Sequence, residues 1–207
     1  AKLPLAMSVV KKVERGPWTW DNELVLLDID VDENSGALYQ RPIGTKFTIE
    51  KLVKELLVNS DNTAYKILVR NMDQSELFSV VQEIGLEDLF IKDGRVSAKE
   101  YSRMFRALYT SSFLKRENSM KILQWLTETP FNDYLASGIP DGAKFAHKIG
   151  ENEKLGVYSD VGIVYLHNRP FLLAMMIHTD DINKGREKAI SLMNLVAKQS
   201  YEYIQAQ

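Results

Sequence analysis

No cysteine occurs among the 207 residues. That excludes disulfides, thiolate metal sites and a cysteine nucleophile, and it fits either redox compartment. Long apolar runs are missing as well. None reaches the roughly 18 residues that a membrane span needs, and the longest, FLLAMMI (Phe171–Ile177), suits a buried strand. Nor is there an excess of one charge. Lys plus Arg is 26 against 28 Asp plus Glu, a net charge of -2, which offers no broad basic field for a phosphate backbone and excludes nucleic acid as the expected partner. His147, His167 and His178 lack metal-ligand spacing of the H-E-x-x-H kind, so neither a metal nor another cofactor is expected. No internal repeat or low-complexity tract is present. The opening, AKLPLAMSVVKKVERG, has no initiator Met and starts inside an amphipathic pattern without a cap. It reads as a chain beginning within an element, with any signal peptide upstream.

What is there suffices for a folded protein. At 45% hydrophobic residues the chain can bury a sizeable core, as one domain or two closely packed lobes. Apolar spacing predicts a helix over 3–13, with Pro4 in its first turn and Gly16-Pro17 as the stop. An Asp-, Asn- and Gly-rich connection with short strands follows, and a second helix starts after Thr48, with Ile49, Leu52, Val53, Leu56 and Leu57 on one face. VNSDNTAY (Val58–Tyr65) closes that helix, and the apolar face resumes through Ala64, Ile67 and Leu68. SELFSVVQEIG predicts a helix ended by Gly85, SAKE (Ser97–Glu100) a capping box before another, and residues 117–127 a further one. Near Gly138 the character changes. AKFAHKIG, GVYSDVGIVYLHN and PFLLAMMIHT read as successive antiparallel strands, and 184–204 as a long amphipathic helix.

Ser60-Asp61-Asn62 is a polar cluster where core packing needs none. All three are good N-cap residues, so the bland reading is a cap for the next helix. As chemistry, the cluster calls for a lysine to tune a hydroxyl, and HKIGE (His147–Glu151) places a second lysine on the first predicted strand. The order is Lys2 at a helix start, Ser-Asp-Asn about 58 residues on, and Lys-x-Gly on a strand before two more strands and a terminal helix. This resembles class A β-lactamases and penicillin-binding peptidases, whose elements are S-x-x-K, S-D-N and K-T-G. The resemblance covers essentially the whole chain, including GTKFTIEKLVKELLVNSDNTAYKIL and GIPDGAKFAHKIG.

The resemblance implies an α+β, β-lactamase/transpeptidase-like fold: a mainly helical lobe over 1–137 and a sheet lobe over 138–207, with an antiparallel sheet flanked by helices. The first strands and helix of the sheet lobe would lie upstream of Ala1, as would the nucleophilic serine, three residues before Lys2, and the cleft would lie between the lobes. It implies a serine-type acyl-transfer hydrolase acting on a β-lactam or peptidoglycan-like peptide, secreted or periplasmic, with residues 1–207 alone inactive. Lys2 would deprotonate the serine, for which it must be partly neutral; burial and the second ammonium, Lys148, would make it so. Ser60 would bridge the lysines and pass a proton to the leaving nitrogen. Asn62 would hold Lys2 and a substrate amide. Lys148 would bind the substrate carboxylate, Gly150 would permit its close approach, and the Glu151 N–H would be one oxyanion donor.

Two rivals and two departures qualify the match. Ser8-Val9-Val10-Lys11 is literally S-x-x-K, but Ser8 falls some two turns into the helix, away from the N-terminal amides, and reads as an ordinary helix position. Lys2 and Lys148 have bland readings as solvated side chains. Ile149 stands where the family's third motif has threonine, so a carboxylate-binding hydroxyl is gone. Only LEDLFIKDGRV lies between Gly85 and Ser97, where class A enzymes carry a loop with a deacylating glutamate; Glu87 is the nearest carboxylate. Both departures also fit a non-catalytic binding or structural module that keeps the fold.

Overall fold

The structure, a computed structural model, describes residues 2–86, 96–181 and 183–207. Among these are seven α-helices and five strands. Helix α1 (Lys2–Arg15) precedes two short strands, β1 (Glu23–Val25) and β2 (Lys46–Thr48), which pair antiparallel and bracket the Asp- and Gly-rich connection. Then come α2 (Ile49–Val58), α3 (Asn62–Asn71), α4 (Gln74–Glu83), α5 (Ala98–Tyr109) and α6 (Arg116–Leu126). Strands β3 (Lys144–Asn152), β4 (Val157–Tyr165) and β5 (Phe171–His178) precede α7 (Gly185–Gln205).

The helix starts follow from local chemistry. Thr48 Oγ1 accepts the Lys51 N–H at 3.2 Å and caps α2. At α5 the SAKE box closes both ways: Ser97 N–H donates to Glu100 Oε2 at 2.8 Å and Glu100 N–H to Ser97 Oγ at 3.2 Å. The start of α6 is capped from a distance, since Glu14 of α1 accepts the Lys115 N–H at 2.7 Å and Asn118 Nδ2 at 2.8 Å.

The chain forms two compact units, Ala1–Arg95 with Ala107–Trp125, and Val96–Arg106 with Leu126–Gln207. In the first, α1 packs against α2, α3 and α4. Every residue from Leu3 to Val10 is buried, as expected of a central helix that is apolar all round. Ser8 lies in this run, its hydroxyl donating to the Pro4 carbonyl at 2.9 Å, so the internal S-x-x-K is helix packing. Trp20 meets Trp125 edge to face at 5.9 Å, with the Lys121 ammonium over both rings.

The second unit holds a three-stranded antiparallel sheet in the order β3-β4-β5. Ala189, Met193, Ala197 and Tyr201 recur every four residues on α7 and form one buried cluster with Tyr134, Phe145, Tyr158 and Val164. Side chains alternate across a strand. Phe171, Leu173, Met175 and Ile177 of β5 pack on this cluster, as does Ile149 of β3.

Candidate active site

The cluster at residues 60–62 divides its labour. Asp61 is the helix cap: its Oδ1 accepts the Ala64 N–H at 2.7 Å, and its Oδ2 accepts the Ala37 and Leu38 N–H groups at 2.7 and 3.0 Å. The carboxylate is fully buried, so these three bonds stand in for hydration it gave up. Gly36 makes room for it. A Cβ there would stand 1.9 Å from Asp61 Oδ2, and φ is +85°. The capping reading therefore holds for Asp61, while its two neighbours bond elsewhere.

Those neighbours bind Lys2. Its Nζ donates to Ser60 Oγ at 2.9 Å, to Asn62 Oδ1 at 2.7 Å and to the Ser60 carbonyl. Ser60 aims both oxygens at one ammonium by adopting φ 53°, a left-handed conformation costly for a residue with a Cβ. Lys2 is thus no solvated terminal residue. Burial drives its pKa down to about 8, against the opposing pull of the Asp61 and Asp32 carboxylates. An amine titrating there is in part an unprotonated base at neutral pH.

One contact was invisible in the sequence. Asp32 Oδ1 accepts from Asn62 Nδ2 at 3.1 Å, and Asp32 Oδ2 pairs with Lys66 at 3.1 Å. Despite burial, hydrogen bonds from Asn62, Asn34 and Lys66 hold its carboxyl well below the usual carboxylate range. Asp32 sits 30 residues before Asn62 in an irregular segment, where no periodicity marks it.

In the second unit, Lys148, Gly150 and Glu151 lie together on β3, opposite Val161, Ser159 and Tyr158 of β4. Lys148 is 4% exposed, which rules out the water-facing reading; its ammonium lies 5.8 Å from the centroid of the Phe131 ring. Gly150 has a packing reason of its own, since a Cβ would meet Ser159 Oγ at 2.7 Å. The Glu151 carboxylate accepts the Tyr134 hydroxyl at 2.8 Å and Arg186 Nε at 3.2 Å. Beside Lys148, His147 Nδ1 and Asp160 Oδ1 are 2.9 Å apart and both buried, with Asp160 Oδ2 accepting the Leu135 N–H at 3.1 Å. This pair carries no sequence signal, because its two members lie 13 residues apart on different strands. Glu87 lies outside the described residues.

Ile149 packs on the α7 cluster, so this position serves the core. Ile149→Thr should therefore lower stability by about 1 kcal/mol, through lost apolar burial and a half-buried hydroxyl. Chemical denaturation checks it; an unchanged midpoint would show that the side chain packs on nothing.

Residues 1–204 match the model of the β-lactamase enzyme family. No curated protein sequence matches the chain. Among solved structures it is similar to PBP-A, at 23% identity and TM-score 0.82, covering 98% of this chain and 79% of that one. It is similar also to a β-lactamase from Sphaerobacter thermophilus DSM 20745, at 22% identity and TM-score 0.82, over 96% of this chain and 80% of that one. The TLA-3 extended-spectrum β-lactamase gives 19% identity and TM-score 0.83, over 98% and 82%. At these identities the structures speak for the fold, which is the α+β arrangement expected. With the match over nearly its full length, the chain belongs to the β-lactamase enzyme family.

Proposed function

We propose that the protein is a serine acyl-transfer hydrolase acting on β-lactams or on peptidoglycan-like peptides, outside the cytoplasm, with its nucleophile three residues before Lys2. The observation that carries this is the Lys2 ammonium bonded at once to Ser60 Oγ and Asn62 Oδ1, in the motif order of the family. One of the similar structures is described as a penicillin G acyl-enzyme of a PBP-A mutant.

In this reading neutral Lys2 takes the serine proton as the serine oxygen attacks the acyl carbon. The C–N bond then breaks. The proton gained by Lys2 passes through Ser60 Oγ to the leaving nitrogen, so Ser60 gives one proton and receives one. Asn62 binds an amide carbonyl of the substrate, Lys148 its carboxylate, and the Glu151 N–H shares the oxyanion with the N–H of the serine. The division into a helical lobe over 1–137 and a sheet lobe over 138–207 belongs to the same proposal.

The short segment before Ser97 supplies no matched base to activate water, so acylation should outrun deacylation. A penicillin is expected to leave a long-lived adduct on the serine, formed more slowly in Lys148→Ala and in Ser60→Ala by about 10²-fold or more. Stopped-flow absorbance and intact mass test this. Rapid turnover without an adduct would mean that another residue replaces the missing base. No adduct in a folded protein carrying the serine would favour a non-catalytic binding module, the reading that Ile149 supports.

A further inference from the structure

Asp32 belongs to none of the three motifs, yet it is the hub of a network on Asn62. Its Oδ1 accepts from Asn62 Nδ2 at 3.1 Å and from Asn34 N and Nδ2 at 3.1 and 2.8 Å. Its N–H donates to Thr63 Oγ1 at 3.1 Å, and the Asn62 N–H donates to the Ser35 carbonyl at 2.9 Å. The irregular segment is thereby laced to the first turn of α3. A side-chain amide has one acceptor oxygen and two N–H donors. In Asn62 the oxygen takes Lys2 and one N–H takes Asp32, while the other has no protein acceptor among the described residues.

We propose that Asp32 is a positioning residue: its carboxylate fixes the Asn62 amide with the carbonyl on Lys2 and reserves one N–H for the carbonyl of an acylamino substrate. The role rests on the acyl-transfer reading of Lys2 and Asn62. A flipped amide would set its NH₂ against the ammonium and its oxygen against the carboxylate, both repulsive, so the two charges select one orientation. Asp32 also acts on Lys2 directly. The anions raising the Lys2 pKa are Asp61 and Asp32, against burial, and Lys66 is the cation that faces Asp32. Removing the Asp32 charge therefore takes the Lys2 midpoint further down.

Two variants separate bond from charge: Asp32→Asn keeps an acceptor oxygen and loses the charge, and Asp32→Ala loses both. In isotope-labelled protein, NMR titration should give a Lys2 midpoint below about 8 in both variants. The Asn62 side-chain N–H signals should lose exchange protection only in Asp32→Ala. In protein carrying the serine, Asp32→Ala should lower the ratio of acylation by penicillin G to acylation by 6-aminopenicillanic acid, which has no side-chain carbonyl, about tenfold. A Lys2 midpoint and Asn62 signals that stay put in both folded variants overturn the proposal. If Asp32→Ala does not fold, the Lys2 midpoint of Asp32→Asn decides alone. NMR changes as expected in a protein that forms no adduct would leave the positioning role standing and remove the acyl-transfer reading.

Discussion

Lys2→Ala, in a protein carrying the serine proposed upstream of it, should slow acylation by a penicillin about 10³-fold, within the range that loss of a positioned general base produces. The reason is geometric before it is acid–base. Lys2 Nζ is the common partner of Ser60 Oγ and Asn62 Oδ1, so on the proposed reading its loss removes the base and unties the two groups proposed to relay the proton and hold the substrate. The pH dependence carries the sign of the effect. Burial drives the lysine down to about 8, and only the neutral amine accepts a proton. The acylation rate should rise with pH through about 8 and level off above it, with a tenfold fall per unit on the acid side. Single-turnover rates across pH 6 to 10 test this. A profile flat through pH 8, or an alanine variant within about threefold of the parent, would remove Lys2 from the base role.

Asp61→Ala should cost about 3–5 kcal/mol, enough to unfold much of a marginally stable domain. Three backbone N–H groups lose one fully buried acceptor: Ala64 at the start of α3 and Ala37 and Leu38 in the connecting segment. Capping alone would account for about 1 kcal/mol; the rest comes from the Ala37 and Leu38 N–H groups losing their shared acceptor, the Leu38 N–H in a buried position. Urea unfolding checks the magnitude, and Asp61→Asn should lie between parent and alanine. A loss below about 1 kcal/mol would mean that the connecting segment rearranges to reach solvent. The change should spare Lys2's partners in any fraction that stays folded, since Ser60 and Asn62 make those bonds.

Much of this was legible because it is local. Thr48, the SAKE box and the four-residue spacing of α7 each announce an element within a few residues, and the three strands stand out as short apolar or aromatic segments between turn residues. Motif order then pointed to Lys2, Ser60 and Asn62, which the structure joins in one hydrogen-bonded group. Asp32 and the His147–Asp160 pair were hidden for the opposite reason. Each depends on backbone geometry that brings distant positions together, across 30 residues in one case and across a strand register in the other. Composition cannot tell a carboxylate that receives an amide from one that faces water. Ile149 shows a third limit: in the sequence it is a lost hydroxyl, and only the strand's alternation against α7 shows what the side chain does instead.

The half-buried ammonium of Lys2 also makes this protein's folding a proton-linked reaction. An unfolded chain holds that proton up to about 10.5, whereas the folded chain releases it near 8. Between those values the unfolded state binds more protons, so this group makes the fold gain stability as pH rises across the window. Below pH 8 both states are charged and the cost of keeping a cation partly out of water is fully present; above 10.5 both are neutral and it vanishes. The protein is thus held together least firmly, at this one position, under the neutral conditions in which a partly deprotonated lysine is useful. Alkali strengthens the contribution that this side chain makes to the fold.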